Sequence, residues 1–256
     1  MRFFEAIGQT ILRIFEEFGR FFQMLGRMAA WMVRPPYDLP ELLRQMVRVG
    51  FDSIPVVLLT TLFTGMVLAL QTFNGFARFH AENLVGSVVA LSLTRELAPV
   101  LVALMVTGRV GSAMAAELGS MRVTEQIDAL TALGTEPVQY LIVPRVVAAI
   151  LMMPLLVIIG DVVGMYGGYL VAVQLLGANP VSYVDNSFQF LHVKEDVVSG
   201  LIKAACFGLI FALTACVRGY YTTGGAEGVG RSTTRAVVSG SLSVLVADFF
   251  LTKLLY

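Results

Sequence analysis

The sequence predicts an all-α membrane protein with an amphipathic interfacial helix at the N-terminus and five transmembrane helices. Hydrophobic residues make up 57% of its 256 residues and charged residues only 14%, whereas about a quarter of the residues in soluble domains are charged. The apolar residues also fall into five runs, each long enough to cross the ~30 Å hydrocarbon core of a bilayer as a helix. Together, these two observations favour a multi-pass membrane protein.

The N-terminal region, residues 1–50, begins with an amphipathic helix. Apolar residues recur at spacings of three and four, which places them on one helical face. They are Phe4, Ile7, Ile11, Ile14, Phe15, Phe18, Phe21, Phe22, Leu25, Met28 and Met32. Five interspersed charged residues argue against a transmembrane helix, so the phenylalanine-rich face predicts a helix lying in the membrane interface. The alternative is a helix that packs on its own protein. A Pro-Pro pair at 35–36 ends it.

The rest of the chain, residues 51–256, is predicted to be a five-span membrane domain. The predicted spans are residues 51–73, 84–107, 146–176, 197–217 and 236–255. The third is longer than a straight crossing requires and contains Pro154, so we expect it to tilt or kink.

The distribution of basic residues predicts the orientation. With the N-terminus in the cytoplasm, thirteen of the eighteen lysines and arginines lie on the cytoplasmic side. Only Arg78, Lys194 and Lys253 then lie outside, while Arg95 and Lys203 fall within spans. Cytoplasmic loops carry an excess of basic residues, so we expect a cytoplasmic N-terminus and a periplasmic C-terminus.

The segment from Leu91 to Ile127 is the most informative, because it places an Arg-Glu pair inside an apolar run. Its sequence is LSLTRELAPVLVALMVTGRVGSAMAAELGSMRVTEQI. Ionisable residues at membrane depth are costly and usually functional. Arg95 and Glu96 point about 100° apart on a helix, and Pro99 leaves the Arg95 carbonyl without its helical donor. The charged pair and the carbonyl that lacks a helical donor lie on the same helical turn. This coincidence predicts a functional cavity rather than a purely structural ion-pair network.

Three further ionisable residues fall within the predicted spans. Lys203 either joins this cavity or extends its side chain to the nearer membrane surface. Asp161 lies among glycines at every fourth position, a pattern that favours close helix packing. Asp248 lies near the chain end, so its depth is less well defined.

The second half of the segment predicts a Gly/Ala-rich turn followed by a short, charged cytoplasmic helix. Arg122, Glu125 and Asp128 alternate there with apolar residues, and a glycine and a proline close the helix at 134 and 137. A charged helix directly after a span is a candidate docking surface for a soluble partner.

Several chemistries are excluded by what the sequence lacks. No lysine follows a glycine, so the chain has no Walker A motif. No histidine falls in a span to activate Ser112 as a nucleophile. We therefore predict no catalytic residue, no cofactor and no metal site. The net charge of zero gives no indication that the chain binds nucleic acid.

At these residues the chain resembles the MlaE-type permeases, the membrane subunits of Mla phospholipid-transport ABC systems. The resemblance rests on ALSLTRELAPVLVALMVTGRVGSAMAAELGSMRVTEQIDAL, on GMVLALQ at 65–71 and on GVGRSTTRAVV at 228–238. It implies a non-enzymatic, homodimeric inner-membrane permease that maintains outer-membrane lipid asymmetry. It also implies three partners: an MlaF-type cytoplasmic ATPase, an MlaB-type STAS-domain protein and an MlaD-type hexameric MCE-domain protein.

The resemblance also assigns roles to residues of this chain. Arg95, Glu96, Lys203 and Gln71 match the residues that line the family's phospholipid cavity. The helix at about 117–133 matches the coupling helix that enters the ATPase, and it carries the charged residues Glu117, Arg122, Glu125 and Asp128.

Two other functions are compatible with the residues themselves. One is an ion- or proton-coupled transporter that uses Glu96, Asp161 and Asp248 as a relay. The other is a non-transporting anchor for a periplasmic complex. Copurification with an ATPase would separate the first from an ABC permease. Reversing charges within the spans would distinguish an anchor from a permease, because a mere anchor should tolerate the change if it still assembles.

Overall fold

The computed structural model describes residues 2–35, 38–79 and 81–255. All regular secondary structure in these ranges is helical, and five helical segments are long and apolar enough to cross a membrane. We call them spans 1 to 5. They are Leu39–Phe79, Glu82–Val123, Val138–Leu175, Val193–Tyr220 and Gly225–Leu255. The all-α prediction is therefore confirmed, as are five helices long and apolar enough to cross a membrane, and each helical segment begins before the predicted apolar run.

The spans are built from α-helices joined by shorter helical turns. Taken in chain order, the α-helices are α1 (Arg2–Met32), α2 (Leu39–Val49), α3 (Ile54–Phe76), α4 (Val85–Ser92), α5 (Ala98–Val106), α6 (Ser112–Val123), α7 (Gln126–Ala132), α8 (Val143–Tyr169), α9 (Pro180–Gln189), α10 (Val198–Tyr220) and α11 (Gly225–Leu255). Thus α2 and α3 form span 1, α4 to α6 form span 2, and α8, α10 and α11 form most of spans 3, 4 and 5.

Span 2 is one continuous helix, because π-helical turns at Leu93–Leu97 and Thr107–Gly111 join its α-helices. The Gly/Ala-rich turn predicted near Ser112 is therefore wrong. Gly111 has helical backbone angles, and the Ser112 hydroxyl donates to the Gly108 and Arg109 carbonyl oxygens. Glycine permits a turn without requiring one, and here packing keeps the helix intact into α6.

Helix α1 packs one side on the bundle and leaves another side exposed. Met24 and Met28 are buried, whereas Phe15 and Phe22 are more than 60% exposed. The bundle contact matches the alternative of a helix packed on its own protein, while the exposed phenylalanines leave membrane contact as a prediction. The apolar residues predicted for this face at positions 4, 7, 11, 14 and 18 lie outside the described side chains.

Glycines bring spans 1 and 3 into close backbone contact. A Cβ atom added to Gly65 would lie 1.9 Å from the Gly164 carbonyl oxygen, and one added to Gly167 would lie 2.4 Å from the Leu62 carbonyl oxygen. A Cβ at Gly160 would lie 3.0 Å from the Thr61 methyl group. The close packing predicted around Asp161 is therefore confirmed, and it fixes span 3 against span 1.

Candidate functional site

A buried cluster of charges joins spans 2, 4 and 5 inside the apolar bundle. The π-helical turn of span 2 presents Glu96 toward α10, where its carboxylate accepts a 2.6 Å hydrogen bond from the Lys203 ammonium group. Asp248 of α11 lies 2.7 Å from the same Lys203 nitrogen. The Lys203 side chain is fully buried, so this cation is enclosed by two carboxylates.

Two uncharged oxygens complete the surroundings of Lys203. Its Nζ donates to the Thr252 hydroxyl at 2.9 Å and to the Arg95 carbonyl oxygen at 3.2 Å. Pro99 has no backbone N–H to donate to that carbonyl, so the lysine ammonium group replaces the missing donor. Lys203 therefore does not extend to the membrane surface. It belongs to the charge cluster.

Arg95 points away from Glu96 and binds a carboxylate that sequence reasoning missed. Its Nε and Nη2 atoms each lie 2.6 Å from Asp196 Oδ1. Asp196 is fully buried, and its second oxygen accepts the His192 backbone N–H at 2.7 Å. It lies one residue before the predicted start of span 4, outside the run for which membrane depth is predicted. Its position next to an apolar run was the available signal.

The cluster thus holds two cations and three carboxylates. Arg95 and Glu96 share one π-helical turn, and the other three charges come from three further helical segments. Lys203 is enclosed, whereas the Arg95 side chain remains 38% exposed. Of the two cations predicted to meet a lipid phosphate, only Arg95 is accessible in this conformation. Glu96 binds the neighbouring helix through Lys203 rather than binding Arg95.

Gln71 and Asp161 are not joined to the cluster. Gln71 is exposed on α3, and no hydrogen bond within the described ranges connects it to the charged residues. Asp161 is buried, and its Oδ1 has no hydrogen-bond partner among the described residues. Since no described hydrogen bond or ion pair links Asp161 to Glu96 or Asp248, the three carboxylates do not form a connected relay.

The predicted coupling segment consists of two helices rather than one. Helix α6 ends at Val123, and α7 begins at Gln126. Between them, Glu125 has left-handed backbone angles, φ 60° and ψ 14°, which interrupt the helix. The continuous helix predicted for 117–133 is therefore wrong at this point.

The four charged residues of this segment occupy two environments. Glu117 lies within α6 and accepts hydrogen bonds from Arg48 at 2.8 Å and Arg145 at 3.0 Å, which tie spans 1, 2 and 3 together. Arg122 and Asp128 pair across the break at 2.5 Å, and Glu125 is exposed beside them. Buried Ile127 anchors α7 to the bundle. The surface available to a partner therefore centres on Glu125 and Asp128.

Comparison with known proteins gives a consistent result. The family model described as permease MlaE matches residues 42–254. A protein of Rickettsia felis named as a probable ABC transporter permease is 48% identical over 251 residues, covering 98% of this chain and 96% of the relative. The Haemophilus influenzae intermembrane phospholipid transport system permease protein MlaE is 38% identical over 256 residues, covering 100% and 98%. The chloroplastic protein TRIGALACTOSYLDIACYLGLYCEROL 1 of Arabidopsis thaliana is 42% identical over 214 residues, covering 84% and 61%.

Proposed function

Because this chain belongs to the MlaE permease family, we propose that it is the permease subunit of an ABC transporter that moves phospholipid between the inner membrane and a periplasmic carrier. One structural observation supports this role most strongly: a charged cluster centred on fully buried Lys203 within an apolar bundle. A bundle that only anchored a complex would not need buried charges, which are expensive in a membrane. The connected carboxylate relay that a proton-coupled transporter requires is not formed.

The proposed assembly is a homodimer of this chain with three partners. A cytoplasmic MlaF-type ATPase supplies ATP hydrolysis, because this chain carries no Walker A motif. An MlaB-type STAS-domain protein binds the ATPase, and a hexameric MlaD-type MCE-domain protein receives the lipid in the periplasm. The cellular role is to maintain the lipid asymmetry of the outer membrane.

Arg95 is the proposed phosphate contact. Its guanidinium group is partly exposed and held by Asp196, and a planar guanidinium with five N–H donors can bind more than one acceptor. Lys203 positions spans 2, 4 and 5 and becomes available to lipid only if Glu96 or Asp248 withdraws. Gln71, near the C-terminal end of α3 and the proposed outer end of span 1, is a proposed contact for the same lipid. Movement of α7 by the ATPase would shift span 2 and with it this cluster.

The proposed topology has a cytoplasmic N-terminus and a periplasmic C-terminus. A reporter that is active only in the periplasm should be active when fused after residue 255 and silent when inserted near Thr131 in α7. Thirteen of eighteen basic residues on one side of the membrane give the physical reason. The opposite reporter pattern would reverse the orientation and remove α7 from the ATPase side.

The coupling surface is tested by copurification with the ATPase. Purified in mild detergent, the wild-type chain should retain an ATPase and bound phospholipid. The double variant Glu125→Lys/Asp128→Lys should retain its place in the membrane but bind the ATPase at least tenfold more weakly, because breaking desolvated charged contacts at an interface costs about 2–5 kcal/mol.

The matched control is Asp185→Lys/Glu195→Lys, which makes the same charge change at exposed positions on the opposite end of the bundle. It should bind the ATPase as the wild type does. Equal ATPase binding by the two double variants would exclude α7 from the interface. A wild-type chain that transports lipid without any ATPase would refute the proposed ABC mechanism.

A further inference from the structure

A polar cavity lies between α1, α10 and α11, at the opposite end of span 4 from Lys203. It encloses about 450 Å³ and is lined by Arg20 of α1, Arg218 of α10 and Arg235 of α11. Fifteen residues of helix separate Arg218 from Lys203, a distance of about 22 Å. This cavity is therefore distinct from the charge cluster of the proposed transport site.

A carboxylate of the chain itself occupies one part of the cavity. Both oxygens of Glu17 accept hydrogen bonds from the Arg218 guanidinium group, at 2.7 and 2.9 Å. These hydrogen bonds lower the pKa of the Glu17 carboxyl, partial burial opposes them, and the charges of Arg218, Arg235 and Arg20 lower the pKa further. The geometry is the paired arrangement by which arginine also binds phosphate.

Positive charge remains in the cavity after Glu17 is counted. Arg20 pairs with Glu16 outside the cavity lining at 2.5 Å and lies over the Tyr221 ring at 4.9 Å. The side chain of Arg235 makes no hydrogen bond or ion pair with any residue in the described ranges, although its charge acts on Glu17. With Glu16 and Glu17 both counted, three arginines face two carboxylates, and the one remaining positive charge is suited to an additional anion.

The other lining residues suit a phosphate that carries an organic group. Ser232, Ser239 and Thr223 contribute hydroxyl groups, while Phe21 and Leu242 contribute apolar surface. Pockets that bind small ligands commonly enclose about 300–1,000 Å³ and combine an apolar wall with a few converging polar groups. Basic pockets between transmembrane helices are also typical sites for anionic lipid head groups.

We propose that this cavity binds a phosphate group through Arg20, Arg218 and Arg235, supplied by a membrane phospholipid head group or by a soluble phosphate ester, and that Glu17 is an internal competitor for it. Phosphate entering the cavity displaces Glu17 from Arg218 and so loosens α1 from spans 4 and 5. The proposal does not depend on lipid transport, because it concerns binding by the isolated chain.

The test uses the purified full-length chain, delipidated in a non-ionic detergent. Binding of short-chain phosphatidylglycerol, glycerol 3-phosphate and inorganic phosphate is measured by calorimetry. We expect saturable binding of at least one of these probes. Arg235→Gln should weaken it about tenfold, since hydrogen bonds to charged groups contribute about 1.5–3 kcal/mol. The control Arg231→Gln, whose arginine pairs with Glu227 outside the lining, should leave it unchanged.

The decisive comparison is between Arg218→Gln and Glu17→Gln. Both variants break the same ion pair, so a purely structural bridge predicts the same effect on binding from each. A phosphate site predicts opposite effects: Arg218→Gln weakens binding, and Glu17→Gln strengthens it by removing the competitor. Effects of the same sign, or no saturable binding of any probe by the wild type, would overturn the proposal.

The three probes also distinguish the source of the phosphate. Tighter binding of phosphatidylglycerol than of glycerol 3-phosphate identifies the lipid head group, because the phospholipid adds a second glycerol and acyl chains but its phosphodiester carries less negative charge than the monoester. Equal affinities identify a soluble phosphate ester. Monodispersity by size-exclusion chromatography is checked for every variant, so that a folding defect is not counted as lost binding.

Discussion

Replacing Lys203 with methionine is expected to destabilise the bundle by about 3–5 kcal/mol and to abolish transport. Methionine fits the apolar surroundings but leaves Glu96 and Asp248 without the cation that lies 2.6 and 2.7 Å from them. Removing one partner of a buried ion pair leaves uncompensated charge in a low-dielectric environment, which costs this amount. The Arg95 carbonyl also loses its side-chain donor. Unfolding in mild detergent, followed by circular dichroism, measures the loss.

A triple variant separates the structural contribution of Lys203 from its functional one. Lys203→Met/Glu96→Gln/Asp248→Asn removes both stranded charges and should recover most of the stability, because a neutral polar group is far less costly to bury than a charge. It should not recover transport if the charges act on lipid. Lys253→Met, which removes an exposed lysine from the same end of α11, is the matched control and should behave as the wild type. A stable, active Lys203→Met variant would refute the importance of the cluster.

Replacing Gly65 with alanine is expected to separate spans 1 and 3, although it adds a single methyl group. That methyl group would lie 1.9 Å from the Gly164 carbonyl oxygen and 2.7 Å from its carbonyl carbon. Both atoms are backbone, so no side chain can turn aside and one helix must move. Overpacking of this kind costs about 1–3 kcal/mol, with larger values where relief is impossible. We expect at least the upper end of that range.

The control for Gly65→Ala lies on the same helix. A Cβ atom at Gly75 would have no heavy-atom neighbour within 4 Å, so Gly75→Ala should leave stability unchanged or raise it slightly through better helix propensity. Thermal denaturation of the two variants in the same detergent makes the comparison. Equal denaturation temperatures would mean that spans 1 and 3 are not held by this glycine contact.

The membrane architecture could be predicted from sequence because hydropathy and helix length are properties of each segment alone. The same holds for the loss of a helical N–H donor to the Arg95 carbonyl, which follows from Pro99 four residues later. Lys203 illustrates the boundary of such reasoning. Its sequence neighbourhood allowed either snorkelling or burial, and only the approach of Glu96, Asp248 and Thr252 from other helices decides for burial.

Two features depended on contacts between segments and could not be predicted. Asp196 lies at the edge of an apolar run, and its burial follows from Arg95, which is 101 residues away in sequence. Glutamate is not a residue type that favours left-handed backbone angles, so the sequence does not predict the conformation of Glu125. Its conformation is consistent with the pairing of Arg122 with Asp128 and the burial of Ile127, which fix the helices on either side.

The long sequence separation within the charge cluster has a consequence for how the protein is made. Arg95 and Glu96 are synthesised before their partners: Asp196 follows Arg95 by 101 residues, Lys203 follows Glu96 by 107, and Thr252 follows Glu96 by 156. At about 5–20 residues per second, ribosomes need roughly 5–20 s to reach Asp196 and Lys203. During that interval the nascent span 2 contains an uncompensated Arg-Glu pair. We therefore expect span 2 to be stably inserted in the bilayer only after span 4 has been synthesised. Insertion of these two spans is then coupled rather than sequential.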